Sequence, residues 1–172
     1  MLDAVLVLSL AAAVPGGAAA ASDALPRGCH LRSHVARADP VAIRLAFFAA
    51  RLGVPPGFAL AIAHHESRFN PSARSSKGAI GLMQIMPGTA ALYAADGRAL
   101  WDPDVNMYTG LRILRDLLDE FHGHQPLAAA AYVAGPGFWM KQYPPAVGRE
   151  IEDYVSRVME LTGEYAAAVA CE

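Results

Sequence analysis

The chain has 172 residues, enough for one ordinary domain with a single core and too few for two full-sized ones. Apolar residues make up 54% and charged residues 17%, which excludes a disordered chain. Formal net charge is −2, and the 12 arginines and 2 lysines are scattered rather than clustered, so the composition offers no dedicated nucleic-acid surface.

The first segment is not read as fold. Val5 to Val14 is VLVLSLAAAV, followed by an Ala/Gly run to Ala21, and an apolar core this short suits a signal peptide over residues 1–21 better than a membrane span. Ala18 and Ala20 offer an A-x-A cleavage site, although Asp3 stands where a basic flank belongs. Cleavage and retention as an N-terminal anchor are both open, and residues 22–172 form the expected domain. Export favours a bridge between Cys29 and Cys171 over two free thiols. Neither cysteine has a C-x-x-C or metal-ligand spacing.

From Asp39 onward the pattern is helical. Asp39-Pro40 reads as an N-cap followed by Pro at the first helical position, and Leu45, Phe48 and Leu52 recur at helical spacing until Gly53. Pro55, Pro56 and Gly57 precede a second helix, Phe58 to about Ser67, which Asn70-Pro71 ends; residues 72–81, rich in Ser and Gly, predict a loop. Met107, Leu111, Leu114, Leu118 and Phe121 step by 4, 3, 4 and 3, the clearest amphipathic stripe in the chain. Pro126 opens an Ala-rich helix that Gly135-Pro136-Gly137 closes, and Ile151, Val155, Val158 and Leu161 mark the last. With no internal repeat and no period-two strand, the expected fold class is mainly α.

Within this scaffold one polar residue sits where a core residue belongs. Glu66 follows Phe58 by eight positions and Ile62 by four, so it continues their apolar stripe. Burial raises a carboxyl above the roughly 4.3 of a free Glu and keeps it protonated for donation to a leaving group. From the helix alone, an outward Glu paired with Arg68 is the plainer reading. His65-Glu66 begins an H-E-x-x-H match, but Phe69 occupies the second ligand position, so a zinc-protease reading fails. His122 and His124 read as a solvated helix C-terminus.

Three stretches reverse the preference for an outward Glu66. Glu66-Ser-Arg-Phe-Asn-Pro71, Gly78-Ala-Ile-Gly-Leu-Met-Gln84-Ile-Met-Pro87, and Ala130-Ala-Tyr132 with Ala134-Gly-Pro-Gly137 resemble, in order and spacing, the three motifs of the soluble-type lytic transglycosylases. Asp102-Pro103, Asn106, Gly110, Glu150, Tyr154, Val155 and Val158 are also similar to the family, so the resemblance runs roughly from Pro55 to Met159. It implies a single goose-lysozyme-like helical domain with a substrate cleft. The implied activity is cleavage of the β-1,4 bond between N-acetylmuramic acid and N-acetylglucosamine in peptidoglycan glycan strands, leaving a 1,6-anhydromuramoyl end.

The same resemblance implies one catalytic acid, Glu66, and no metal or other cofactor. It assigns Ser75 to the substrate acetamido group, Gln84 and Met86 to the walls of the sugar cleft, and Tyr132 to a hydrogen bond with the catalytic carboxyl. Glu150 matches an acid near the cleft, with solvent exposure nearly as good a reading. Val133 departs from the family's usual Asn, which puts some sugar binding or positioning in doubt. Phe138 and Trp139 are read as packing or, secondarily, as sugar-stacking rings. The apparent leader and terminal cysteines are similar to members that serve type III or IV secretion or conjugation machines, which implies a periplasmic location. A lysozyme-like hydrolase using water and a non-catalytic wall-binding assembly module are the alternatives.

Overall fold

A computed structural model of the chain describes residues 29–31, 39–135 and 148–171. The expected leader, Phe138 and Trp139 lie outside the described residues. Helix α1 (Pro40–Arg51) starts as its sequence dictates, with the Asp39 side chain accepting from the Val41 N–H at 2.9 Å and Pro40 opening the first turn. Helix α2 (Pro56–Ser67) begins before Phe58, because a proline at the first position gives up no helical hydrogen bond.

Gly57 to Ala63 are all buried, so α2 runs through the interior rather than along it. Phe58, Leu60 and Ile62 are fully inaccessible, and each such side chain contributes about 1.5–3 kcal/mol through burial. Helix α6 (Arg149–Ala168) packs most extensively against α2, and α1 covers another side. The C-terminal turn of α2 emerges from this packing, and Glu66 lies on it.

Between them come α3 (Pro87–Leu92), a 3₁₀ turn (Ala99–Trp101), α4 (Pro103–Glu120) and α5 (Gln125–Ala134). The amphipathic stripe of α4 is buried as read, at Met107, Leu111, Leu114 and Leu118. Asp102 caps α4 by accepting from the Asp104 and Val105 N–H groups. His124 is not simply the solvated end of α4: its ring caps α5 by accepting from the Leu127 N–H at 3.4 Å.

The expectation of no strand is corrected by a short antiparallel ribbon, β1 (Cys29–Leu31) with β2 (Val169–Cys171). Three residues are too few to display a period of two. Isolated bridges Arg74↔Ile80 and Ile80↔Ile85 also order the expected loop between α2 and α3.

Candidate active site

The loop after α2 is fixed by side chains from three helices. Asn106 on α4 is fully buried; its Oδ1 accepts from the Met83 N–H at 2.8 Å, and its Nδ2 donates to the carbonyls of Ile80 at 2.9 Å and Leu100 at 3.0 Å. Ser67 on α2 donates to the Leu82 carbonyl at 2.7 Å, and Tyr132 on α5 donates to the Met83 carbonyl at 2.8 Å. Close approach makes this clamp possible: a Cβ on Gly110 would lie 2.9 Å from the Met83 Cβ. Gly81 adds a second requirement, since its φ is +75° and a Cβ there would lie 2.8 Å from the Asn106 Cγ.

Beside this clamp opens a cleft of about 690 Å³, within the range of small-ligand sites. Glu66, Ser75, Gln84, Met86 and Tyr132 all line it, so the structure brings together every residue that the motifs single out for the site. Ser75 closes its own turn by accepting from the Ala79 N–H at 3.0 Å. The Gln84 amide is held by the Gly81 carbonyl at 2.8 Å, and its backbone adopts a left-handed φ of 49°, a strained conformation for a non-glycine residue. Met86 is 42% exposed and Val133 42% exposed, so both are cleft surface rather than core. Glu150 is exposed, as one of its two readings held.

Glu66 is half-buried at the cleft, and its environment acts on it in two directions. Desolvation holds the carboxyl above the usual carboxylate range, while a hydrogen bond from a tyrosine hydroxyl favours the charged form and partly offsets burial. That tyrosine is Tyr154 on α6, whose Oη donates to Glu66 Oε1 at 2.7 Å. The expected partner, Tyr132, is not bonded to Glu66 here. Its hydroxyl is spent on the Met83 carbonyl, and it stays close enough to feel the acid: its phenol is pushed well up by burial first and by the Glu66 charge second.

Tyr154 is the site residue that the sequence reading did not assign. In sequence it belongs to the closing segment, 88 positions from Glu66, and the packing of α6 on α2 supplies the proximity. His65 supports it, with ring centroids 4.5 Å apart in an edge-on contact. His64 is likewise occupied, its Nδ1 lying 2.9 Å from the Tyr165 hydroxyl. Both histidines are held below their ordinary range by burial first and the Arg157 charge second, and so serve as neutral packing groups.

Residues 46–154 match the transglycosylase SLT domain family. The chain is 41% identical over 93 residues to the soluble lytic murein transglycosylase of Escherichia coli (strain K12), a match covering 49% of this chain and 14% of that protein. It is 35% identical over 107 residues to the transglycosylase of Enterobacteria phage PRD1, covering 59% of this chain and 39% of that protein. Its fold is shared with an inactive mutant of the lytic transglycosylase Slt from Pseudomonas aeruginosa, at a TM-score of 0.62 and 31% identity over 76% of this chain and 26% of the other. The 70 kDa soluble lytic transglycosylase from Escherichia coli is similar at a TM-score of 0.60 and 28% identity, over 75% and 26% of the two chains. The chain thus spans well under half the length of each of these relatives.

Proposed function

Because the chain belongs to the transglycosylase SLT domain family, we propose that it cleaves the MurNAc–GlcNAc β-1,4 bond of peptidoglycan and closes a 1,6-anhydro ring on the muramoyl product. The observation that carries this reading is the two-way setting of Glu66: desolvation favours its protonated form, and the Tyr154 hydroxyl at 2.7 Å favours the carboxylate once the proton has left. A group that must be first acid and then base needs both influences.

Neutral Glu66 donates its proton to the glycosidic oxygen as the bond to the muramoyl C1 breaks. The substrate's 2-acetamido oxygen attacks C1, so a second protein carboxylate is not needed as nucleophile. The Glu66 carboxylate then takes the proton of the C6 hydroxyl, whose oxygen displaces the acetamido group, and the acid is regenerated. Ser75 is placed to orient the acetamido group, since an oxygen already accepting from Ala79 retains its proton for a ligand carbonyl. Gln84 and Met86 present a polar and an apolar contact to sugar rings, and Tyr132 holds the loop that carries them. Mass spectrometry of digested peptidoglycan tests the reading: 1,6-anhydro ends support it, reducing ends indicate hydrolysis, and intact strands indicate a binding module.

Action on peptidoglycan argues for a location outside the cytoplasm, and the apolar leader supports export to the periplasm, with local wall opening for a secretion or conjugation machine as the narrower proposed role. The ribbon register adds support for an oxidising compartment, because Cys29 and Cys171 are Cα partners. Opposed residues of an antiparallel pair lie about 4.5–5.5 Å apart at Cα, inside the roughly 4.4–6.8 Å that a disulfide spans.

A further inference from the structure

The cleft carries a second polar cluster that the proposed chemistry leaves unused. Tyr93, Arg112 and Asp116 line the same space as Glu66, on the side built by α4 and the end of α3. The Arg112 guanidinium stands over the Tyr93 ring, 5.6 Å from its centroid. Burial first and the adjacent Asp116 carboxylate second push the Tyr93 phenol up to about 12, so it remains a protonated donor. Tyr93 is itself half-buried and packed against the core, whereas Arg112 and Asp116 are exposed.

Opposite charges one helical turn apart are common on solvated faces, and α4 has such a pair in Arg115 and Asp119. The contrast between the two pairs is informative. Arg115 is bonded directly to Asp119 and to the Gly53 carbonyl, outside the Glu66 cleft. Arg112 and Asp116 instead flank one anchored ring and present a cation and an anion to the cleft. Side chains ordered in advance lose less entropy when a ligand arrives.

Aminosugar rings offer hydroxyls and acetamido groups, which give a cluster of both signs no ionic partner. Within peptidoglycan, a carboxylate and an ammonium group occur together on the stem peptide. We infer that Arg112 and Asp116, organised by Tyr93, form a subsite for the zwitterionic stem peptide, with Arg112 taking a carboxylate and Asp116 an ammonium group. The inference rests on the proposed reading of the cleft and adds a specificity determinant to it.

Calorimetric titration of the Glu66→Gln protein tests this without requiring turnover. Three ligands are compared: a GlcNAc oligomer, a glycan oligomer stripped of its peptides to leave free lactyl carboxylates, and the same oligomer with peptides attached. The peptide-bearing strand is expected to bind about tenfold more tightly than the stripped one, the scale of one charge-assisted contact. Adding Arg112→Gln or Asp116→Asn removes roughly fivefold or more of that advantage and leaves the GlcNAc oligomer within about twofold, while Arg112→Lys retains most of it. Equal affinity for stripped and peptide-bearing strands, or equal weakening toward all three ligands in variants with unchanged thermal midpoints, overturns the inference. So does an Arg112 effect as large on the stripped strand, which would assign the cation to the lactyl group. Failure of the wild-type protein to cut peptidoglycan refutes the Glu66 assignment and leaves this binding result standing.

Discussion

Replacing Asn106 by Leu keeps a branched side chain of four heavy atoms and removes all three Asn106 bonds of the clamp at once. The Met83 N–H and the Ile80 and Leu100 carbonyls then lose partners at 2.8, 2.9 and 3.0 Å in the protein interior. An orphaned buried polar group costs about 1–3 kcal/mol, and carbonyls with a second lone pair fall toward the lower end. The three together predict a loss of about 3–5 kcal/mol, set against the roughly 5–15 kcal/mol by which a typical domain is stable. Asn106→Asp separates the contributions, because it keeps an acceptor for Met83 and points a carboxylate at two carbonyls. A carboxyl buried there is held above its unfolded value, so the folded state binds the proton more tightly and stability falls as pH rises between the two values. Urea unfolding at pH 5 and pH 8 is the assay. Both variants should unfold at lower urea than wild type, and the Asp variant should recover part of its loss at the lower pH. A loss below about 1 kcal/mol in the Leu variant would show that the loop is held by packing and that the carboxamide is not its clamp.

Glu66→Gln should abolish release of 1,6-anhydro products while raising the thermal midpoint at neutral pH. The folded carboxyl is held above its unfolded value, so Glu66 costs stability once pH rises past that unfolded value, and the midpoint difference should shrink toward zero below about pH 4, where both states are protonated. Tyr154→Phe removes the bond that favours the carboxylate, which should move the alkaline limb of the kcat profile, where the acid loses its proton, to higher pH and lower kcat about 10- to 100-fold, measured by product release across pH. Val133→Asn restores an amide at a position 42% exposed on the cleft and should leave activity unchanged or raise it; a drop in turnover would mean that Val133 itself contributes. Thiol titration of the exported protein should find Cys29 and Cys171 unreactive until a dithiol reductant is added, with a lower thermal midpoint afterwards.

The helices were legible because their signals are local. Asp39-Pro40 and Asp102-Pro103 cap or open helices within a few residues, and the α4 stripe needs only its own spacing. The ribbon was not legible, since it pairs two three-residue segments from opposite ends of the chain, and neither is long enough to carry a period. Glu66 stood out as an acid on an apolar stripe, yet that stripe could not say what faces it. The answer lies in α6, and it follows from how α2 and α6 pack.

That packing also explains why Tyr154, and not Tyr132, bonds Glu66. Both are tyrosines beside one carboxyl, and a motif match identifies a side chain's neighbourhood more readily than its hydrogen bond. With Asn106 holding the Met83 N–H inward, the carbonyl of the same residue also needs a partner, and Tyr132 is the phenol that reaches it. Tyr154, steadied by the ring of His65, is left for Glu66. The clamp and the acid are thus coupled through a division of donors: loosening the loop at Asn106 would free the Tyr132 hydroxyl to compete for Glu66. An Asn106 variant should therefore alter the pH dependence of cleavage as well as stability, even well below its unfolding midpoint. A profile identical to wild type in a destabilised Asn106 variant would show that the two phenols act independently.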